Sequence, residues 1–496
     1  MFSWRHAKAL LVVLSALVFG ASLTPALNGC AGDRSGAERV AQAIGVDPYR
    51  LDDEGARELA RFNHAFTTYA DNPSDVRELK QFRDVYKRIR ANYVTPVNDT
   101  TLIDAALKDV DERHAAPGSV PAGSLVDGAL EAMTASLDPH SAYLDPDALK
   151  ESELVTTGEF GGLGIQVTQD GDKIKVISPI EGTPAERAGV QPGDLITHLD
   201  RKAITGMSLR DAVHAMRGPP GSPILLTLKR GEKQPFDVSI TRDIIAIQPV
   251  RWSVEKDIGY LRIASFNEKT ADALDDALTE MRKQPGVRGL VLDLRNNPGG
   301  LLDQSLAVAD AFIDDGVIVS IRGREKGTGR AFQATKGDLA RGWPMVVLIN
   351  AGSASASEIV AAALQDHGRA VVMGTRSFGK GSVQTVLRLP QEGALKLTTA
   401  LYYAPKGETI QARGVEPNVH LTGVEETGED AHEVDLPGAL PAQGVMPEVE
   451  AQATVDAKAC PAVGKSQDRE IGCAVVYLQS GSPERFVASL GRRSAL

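Results

Sequence analysis

The chain has 496 residues and a formal net charge of −11 at pH 7, from 65 acidic and 54 basic side chains. This length exceeds what one hydrophobic core usually organises and predicts three or four domains. Apolar residues make up 42% of the sequence, which is typical of a soluble globular body. The acidic balance argues against nucleic acid as a partner, because proteins that bind nucleic acid are usually basic.

Residues 1–29 have the features of a secretory signal. Arg5 and Lys8 precede an apolar stretch, residues 9–20, that is too short for a stable membrane span. We therefore expect export to a bacterial periplasm or cell envelope. The run Leu-Asn-Gly-Cys at 27–30 resembles a lipoprotein signal, although its asparagine is unusual there. Two alternatives are left open: a lipid anchor on Cys30, which would be the only link to a membrane, or cleavage near Ala26 without a lipid.

Residues 37–150 are predicted to be mainly helical and to lead into the core. In the helix predicted over residues 75–93, seven apolar side chains form one stripe: Val76, Leu79, Phe82, Val85, Tyr86, Ile89 and Tyr93. Such a stripe indicates a packed helix face. A dimer surface is the alternative.

Residues 155–243 have the order of a small β-sheet with two helices. The stretch begins with a glycine-rich loop, Phe160-Gly-Gly-Leu-Gly-Ile-Gln-Val167, that leads into a strand. It resembles a PDZ domain of the circularly permuted bacterial type. This resemblance implies capture of a peptide C-terminus, with Gly162, Leu163, Gly164 and Ile165 at the carboxylate loop and the second helix as the groove wall. An apolar groove would favour apolar terminal residues.

A serine and a lysine stand twenty-five residues apart in the next region, 246–420. Ser355 falls between a predicted buried strand, residues 345–350, and a predicted helix, residues 358–366, and Lys380 lies between two glycines. A neutral lysine amine can remove the proton of a serine hydroxyl, which makes the serine a nucleophile. The free N–H of Ala356 at the helix start, and Gly299 or Gly300 of the preceding Asn-Asn-Pro-Gly-Gly loop, could stabilise an oxyanion.

The amine of Lys380 must be neutral to act as a base, although the ordinary pKa of lysine is about 10.4. Burial can lower that pKa, and Phe378 with the apolar strand 383–389 could provide the apolar surroundings. Gln384, four residues further on, could orient the amine if the glycine bend shortens the path between them.

Each of these features also has a simpler interpretation. Ser355 could be only a helix cap, Lys380 a solvated loop charge, and Pro-Gly-Gly a turn. The segment 374–382 is similar to a phosphate loop, but Gly381 stands where that motif needs a hydroxyl. A Ser-His-Asp triad with His367 and Asp366 would need a histidine more than three helical turns from the serine. His140 and His198 lie elsewhere in the chain.

Three motifs in order resemble the core signatures of the C-terminal processing peptidases: Asp293-Leu-Arg-Asn-Asn-Pro-Gly-Gly300, Gly352-Ser-Ala-Ser-Ala-Ser-Glu358 and Phe378-Gly-Lys-Gly-Ser-Val-Gln384. The block Ser136-Leu-Asp-Pro-His-Ser-Ala-Tyr-Leu144 is similar to an upstream motif of that family. The resemblance covers residues 80–420. It implies Ser355 as nucleophile, Lys380 as general base, Gln384 as its partner, and an oxyanion hole from the glycine turn and Ala356. It also implies catalysis without metal or cofactor.

The C-terminal region is predicted to be an acidic linker, residues 421–457, followed by a short cysteine-containing segment, residues 458–496. No lysine or arginine occurs from Gly414 to Ala457. Cys460 and Cys473 could form a disulfide in an oxidising envelope, or remain reduced packing residues.

The fold expected from these features is a multidomain α/β protein. The resemblance implies a ClpP/crotonase-like α/β serine-protease core, with an inserted PDZ domain and a helical N-terminal region. The expected function is an exported serine endopeptidase that cleaves envelope proteins, with the PDZ domain recognising C-termini or gating activity. The alternatives are an envelope scaffold that binds C-termini without cutting, and a peptidase that needs an adaptor. A homo-oligomer is compatible with all three.

Overall fold

The computed structural model describes residues 49–112, 116–180, 182–231, 233–246, 248–325, 327, 329–424, 431–443, 451–464 and 467–493. The predicted signal and Cys30 lie outside these ranges. No helix in the described ranges is both long and apolar enough to cross a membrane.

In the described part of the N-terminal region, four helices are present: α1 (Asp53–Tyr69), α2 (Val76–Asn92), α3 (Asp99–Glu112) and α4 (Ala122–Ala135). Aspartates start the first two, because the Asp52 carboxylate accepts from the N–H of Gly55 and the Asp75 carboxylate accepts from two N–H groups of α2. The predicted stripe of α2 packs inward, with Phe82, Val85, Tyr86 and Ile89 fully buried. Val76 is the exception, since 73% of it is exposed at the first turn. The stripe is therefore a core face and not a dimer surface.

A small domain follows strand β1 (Ala142–Leu144) and helix α5 (Pro146–Thr157). Its elements are β2 (Glu159–Gly162), β3 (Ile165–Asp170), β4 (Lys173–Pro179), α6 (Pro184–Arg187), β5 (Leu195–Leu199), β6 (Lys202–Ala203), α7 (Leu209–Met216), β7 (Pro223–Lys229), β8 (Phe236–Thr241) and β9 (Asp243–Ala246). The sheet has the order β3-β4-β5-β7-β8, so β3 is an edge strand, and β6 pairs with β5. Strands β2 and β9 form a separate antiparallel ribbon at the two ends of the domain. This is the small sheet with two helices that the sequence predicts.

The remaining elements form the larger α/β body. They are β10 (Val250–Glu255), β11 (Ile258–Ile263), α8 (Thr270–Arg282), β12 (Leu290–Asp293), α9 (Leu302–Asp310), β13 (Val317–Gly323), β14 (Arg330–Gln333), β15 (Met345–Ile349), α10 (Ala356–Asp366), β16 (Val371–Gly374), β17 (Ser382–Arg388), β18 (Ala394–Tyr403), β19 (Val419–Thr422), β20 (Ala453–Asp456), α11 (Arg469–Ser480) and α12 (Pro483–Arg493). Seven strands make one sheet in the order β10-β11-β12-β15-β16-β19-β20. Only β10 runs antiparallel to its neighbour, and the other pairs are parallel.

Helices cover both faces of this sheet. Alternate residues of a strand point to opposite faces, so Leu290 and Leu292 of β12 pack with α8, α9 and α10, whereas Val291 packs with α11 and α12. Burial on both sides explains why β12 and β15 are continuous apolar runs. A second sheet, β1-β18-β13-β14 with β17 paired to β18, joins the body to the N-terminal helices through Leu395 and Leu397.

The predicted acidic linker is wrong for the described parts of residues 421–457. Strand β20 extends the main sheet by pairing in parallel with β19, and residues 431–443 pack against the body. The segment predicted as a short C-terminal addition supplies α11 and α12, which cover one face of that sheet. The body therefore extends well beyond residue 420. The composition of this stretch does not reveal strand β20, because β20 buries only one side chain, Val455.

Cys460 and Cys473 form a disulfide that ties the start of the C-terminal segment to α11. We expect both thiols to resist alkylation without reductant, and Cys473→Ser to lower thermal stability, because closing a loop of this size contributes about 3 kcal/mol. Peptide mass spectrometry and thermal melts check this. Free, alkylated thiols at both positions in the oxidised protein would contradict it.

Candidate active site

Ser355 lies between β15 and α10, at the strand-to-helix junction that the sequence predicts. Its backbone has φ 54° and ψ −109°, a region that residues other than glycine rarely adopt. Such strain costs of the order of 1–3 kcal/mol and persists only where the surroundings hold it. An ordinary helix cap has extended backbone at this position. The conformation therefore favours a functional serine over a simple cap.

The loop before Ser355 is bound to the loop that follows β12. The N–H of Ala354 donates to the Asn297 carbonyl at 3.0 Å, and the Ser357 hydroxyl donates to the same carbonyl at 2.9 Å. The side chains of Asn296 and Asn350 also bond to each other at 2.9 Å. The glycine turn at 299–300 is thus fixed beside the serine.

The two glycines of that turn have different roles. A methyl group on Gly299 would lie 2.9 Å from the Ala356 nitrogen and 2.7 Å from the Ala354 carbonyl oxygen, so only glycine fits there. The N–H of Gly299 is already used, because it donates to the Asn297 side chain at 2.9 Å. The N–H groups of Gly300 and Ala356 have no hydrogen-bond partner among the described residues. These two are the donors available to an oxyanion.

Lys380 lies in the loop between β16 and β17, and most of it is buried. Burial lowers the pKa of its amine to about 8, and the nearby positive charge of Lys396 acts in the same direction. Glu433, Asp138 and Glu358 oppose this shift. With a pKa near 8, roughly one amine in ten is neutral at pH 7. This is a far larger fraction than for a solvated lysine.

Gln384 does not contact the amine as the sequence reasoning expects. Its side-chain nitrogen donates to the Ser382 hydroxyl at 2.9 Å and to the Thr398 hydroxyl at 3.2 Å. Within the described ranges, no hydrogen bond joins Lys380 to Gln384 or to Ser355. A β-bulge between Val383 and Gln384 changes the pairing of β17 at this point.

The glycine-rich loop of the small domain has two N–H groups without a hydrogen-bond partner among the described residues. The carbonyls of Leu163 and Gly164 accept from Ala185 and Ile180, but the N–H groups of Leu163 and Gly164 have no partner among the described residues. Ile165 begins the edge strand β3, and α7 lies alongside it, with Leu209 bonded to a β3 side chain. Gly162 belongs instead to the β2–β9 ribbon, where it pairs with Asp243.

The three histidines that could build a triad or cap do not reach Ser355 by hydrogen bonds in the described structure. His367 ends α10 and bonds to the Val317 carbonyl, as expected of a helix terminus. His198 lies in the small domain beside Thr197, and His140 bonds to Glu433. No group of three or more His, Cys, Asp or Glu residues in the described ranges is arranged to hold a metal ion.

Two family profiles match the chain: Peptidase family S41 over residues 257–421 and a PDZ domain over residues 175–230. A carboxy-terminal-processing protease of Bartonella bacilliformis is 48% identical over 347 residues, which are 69% of this chain and 75% of that relative. The chain belongs to the carboxy-terminal-processing proteases. It is a serine peptidase.

A further relative agrees with this assignment. The carboxy-terminal processing protease CtpA of Bacillus subtilis is 39% identical over 298 residues, which are 60% of this chain and 63% of that relative. Among solved structures, a photosystem II D1 C-terminal processing protease is 32% identical and has a TM-score of 0.45, over 70% of this chain and 93% of that one.

Sequence reasoning missed the structural role of Glu358 in this protease. The side chain is fully buried and accepts from the N–H of Ser355 at 2.7 Å, of Gly379 at 2.7 Å and of Lys380 at 2.9 Å. It also accepts from the Ser377 hydroxyl at 2.6 Å. Burial raises its pKa to about 7, and the four donors act against that rise. The Ser-x-x-Glu spacing of Ser355 and Glu358 is the local signal for this contact, but the same spacing is typical of an ordinary helix cap.

Asp138 of the upstream motif was a second missed residue. Its carboxylate is buried and accepts from the N–H of His140 and from the Ser141 hydroxyl, at 2.8 and 2.6 Å. It also accepts from the Thr398 hydroxyl at 3.0 Å, and Thr398 in turn accepts from Gln384. The upstream motif is thereby joined to the strand that follows Lys380.

Replacing Glu358 by glutamine should reduce kcat/KM about tenfold or more. The new NH₂ group cannot accept from backbone N–H groups, and a buried donor left without an acceptor costs about 1–3 kcal/mol, where about 1.4 kcal/mol is a factor of ten. Steady-state kinetics and thermal melts check this. Glu392→Gln, at an exposed site paired with Arg77, is the control. Equal activity of the two variants would contradict the role of Glu358.

Proposed function

We propose that this protease cleaves peptide bonds through a Ser355–Lys380 dyad. The observation that carries the proposal is a strained serine, fixed beside two free N–H donors, on a helix whose buried Glu358 also binds the backbone of Lys380. A buried amine with a pKa near 8 is suited to accept a proton at neutral pH. Within the described residues, none of the candidate histidines His140, His198 and His367 is hydrogen-bonded to Ser355.

The reaction would proceed by acyl transfer. Ser355 Oγ attacks the substrate carbonyl carbon as its proton passes to Lys380 Nζ, and the N–H groups of Gly300 and Ala356 stabilise the oxyanion. When the C–N bond breaks, Lys380 returns the proton to the leaving amine. Lys380 then takes a proton from water, which attacks the acyl-enzyme; as the ester C–O bond breaks, Lys380 returns this proton to Ser355 Oγ and the acid product leaves.

The serine hydroxyl and the lysine amine must come together before the first step. The backbone N–H groups of Gly379 and Lys380 are bound to Glu358, so the loop is held while the lysine side chain can change rotamer. Catalytic hydrogen bonds are often formed only in the substrate complex. The absence of a hydrogen bond between Ser355 and Lys380 among the described residues is thus compatible with catalysis after substrate binding, or after binding of an adaptor or a PDZ ligand.

The PDZ domain would recognise the C-terminus of a substrate or of a regulator. The free N–H groups of Leu163 and Gly164 can bind a terminal carboxylate, and the β3 edge can pair with an extended peptide beside α7. The sequence of residues 1–29 supports export, so the substrates would be envelope proteins with apolar C-termini. Lipidation of Cys30 would in addition give the enzyme a membrane anchor.

Ser355→Ala and Lys380→Ala should each reduce cleavage about a thousandfold or more, because the nucleophile and its base act as one unit. The assay uses the chain after residue 29 with an unstructured protein, followed by mass spectrometry of the fragments. Thr385→Val, at an exposed position of β17, is the control. Cleavage by both active-site variants at the parent rate would refute the dyad. A parent that never cuts, with or without PDZ ligands, would favour the scaffold.

A peptide with an apolar terminal residue should bind the full-length Ser355→Ala variant more tightly than its C-terminal amide, by about tenfold or more. The reason is that hydrogen bonds from N–H groups to a carboxylate are about twice as strong as those to a neutral acceptor. Fluorescence polarisation with labelled peptides measures both affinities. Equal affinities for the acid and the amide would exclude recognition of the terminal carboxylate.

A further inference from the structure

Residues 431–443, which we call the strap, lie against the loop that carries Lys380. The N–H of Glu433 donates to the Phe378 carbonyl at 2.9 Å, and the His432 ring lies 3.1 Å from the Ser377 carbonyl oxygen. Further along the strap, Gln443 accepts from the Tyr403 hydroxyl at 2.8 Å. The strap thus contacts the lysine loop on the side that precedes Lys380.

The Glu433 side chain reaches the other side of Lys380 through one intermediate. Glu433 is 1% exposed, and its Oε1 accepts from the Gln411 side-chain nitrogen at 2.9 Å. The Gln411 side-chain oxygen accepts from the N–H of Gly381 at 3.0 Å. The residues on both sides of Lys380 are therefore bonded, directly or through Gln411, to one residue of the strap.

His140 provides the second partner of the Glu433 carboxylate. Its Nε2 lies 2.7 Å from Glu433 Oε2, and its own backbone N–H is bound by Asp138. A buried carboxylate is stable only when its oxygens are bonded. The pairing therefore joins three separate parts of the chain, namely the upstream motif, the strap and the lysine loop.

The charged groups around the Lys380 amine come from four elements. Lys396 of β18 is positive, whereas Glu358 of α10, Asp138 of the upstream motif and Glu433 of the strap are negative. Glu433 is the member of this set that lies in the strap. Its negative charge favours the protonated form of the Lys380 amine. Removing its charge should make the amine easier to deprotonate.

We propose that Glu433 is a positioning residue for Lys380. Glu433 holds the lysine loop through the strap, and its negative charge acts on the Lys380 amine. The proposal rests on the proposed role of Lys380 as the base. It gives a positioning role to a segment whose composition is that of a linker. Among the described residues, Glu433 makes no hydrogen bond to Ser355.

The test is the pH dependence of kcat/KM for a fluorogenic peptide, between pH 6 and 10. The parent should lose activity below a midpoint near pH 8, because the base becomes protonated. In Glu433→Gln, which keeps the shape and removes the charge, the midpoint should move to lower pH by about 0.5 or more. The plateau at high pH should fall about threefold or more, because the loop is held less well.

Glu392→Gln is the control, since it removes one negative charge from an exposed position outside the strap. Its midpoint and plateau should match the parent. Glu433→Asp restores the charge with a shorter side chain, so the midpoint should return towards the parent while the plateau stays low. Thermal melts of all variants report whether they remain folded.

Two results would overturn the proposal. One is a Glu433→Gln profile that matches the parent. The other is a lower plateau with an unchanged midpoint, which would make the strap purely structural. Lys380→Ala is assayed in parallel: if it retains activity, the dyad fails whatever Glu433 does, whereas an inactive Lys380→Ala with a parent-like Glu433→Gln rejects only the strap.

Discussion

The buried carboxylate of Glu358 sets the position of both loops that carry the proposed reaction. Three of its four donors are backbone N–H groups, one from Ser355 and two from the lysine loop. A carboxylate taken out of water without partners costs several kcal/mol. That cost is offset only when the donors converge on it, so the serine turn and the lysine loop are stable in this arrangement together. The strained backbone of Ser355 is retained for the same reason.

A similar constraint joins the C-terminal helices to the glycine turn. Arg295 is 7% exposed and bonds to Asp293 at 2.7 Å, to Asp468 at 2.9 Å and to Glu470 at 2.8 Å. Burial alone would raise the pKa of Asp293, but Arg295 reverses the effect and lowers it. Asp468 also starts α11, so the helix that carries Cys473 is bound to the residue just before Asn296. The C-terminal segment therefore helps to hold the loop that carries the glycine turn.

The sequence predicts those parts of the site that depend on local signals. Ser355 at a strand-to-helix junction, the glycine turn and the glycine-flanked Lys380 all follow from short motifs, and the small domain follows from its order of elements. The hydrogen-bond partners of Gln384 do not follow from a local motif, because a β-bulge and the distant Thr398 determine them. The His140–Glu433 contact spans 293 residues of sequence, and no periodicity reveals such a pair. Residues 453–456 were missed because they bury too few side chains to form an apolar pattern.

The most direct test of the account is the acidity of the Lys380 amine itself. Competitive acylation of the Ser355→Ala protein with a trace amine reagent, from pH 6 to 11, gives the reactivity of each lysine by peptide mass spectrometry. If Lys380 is the base, its amine should gain reactivity with a midpoint near pH 8, well below that of exposed lysines such as Lys283 on the same protein. A midpoint near 10.5, the ordinary value for lysine, would mean that the amine is charged at neutral pH, and the proposed base would be wrong.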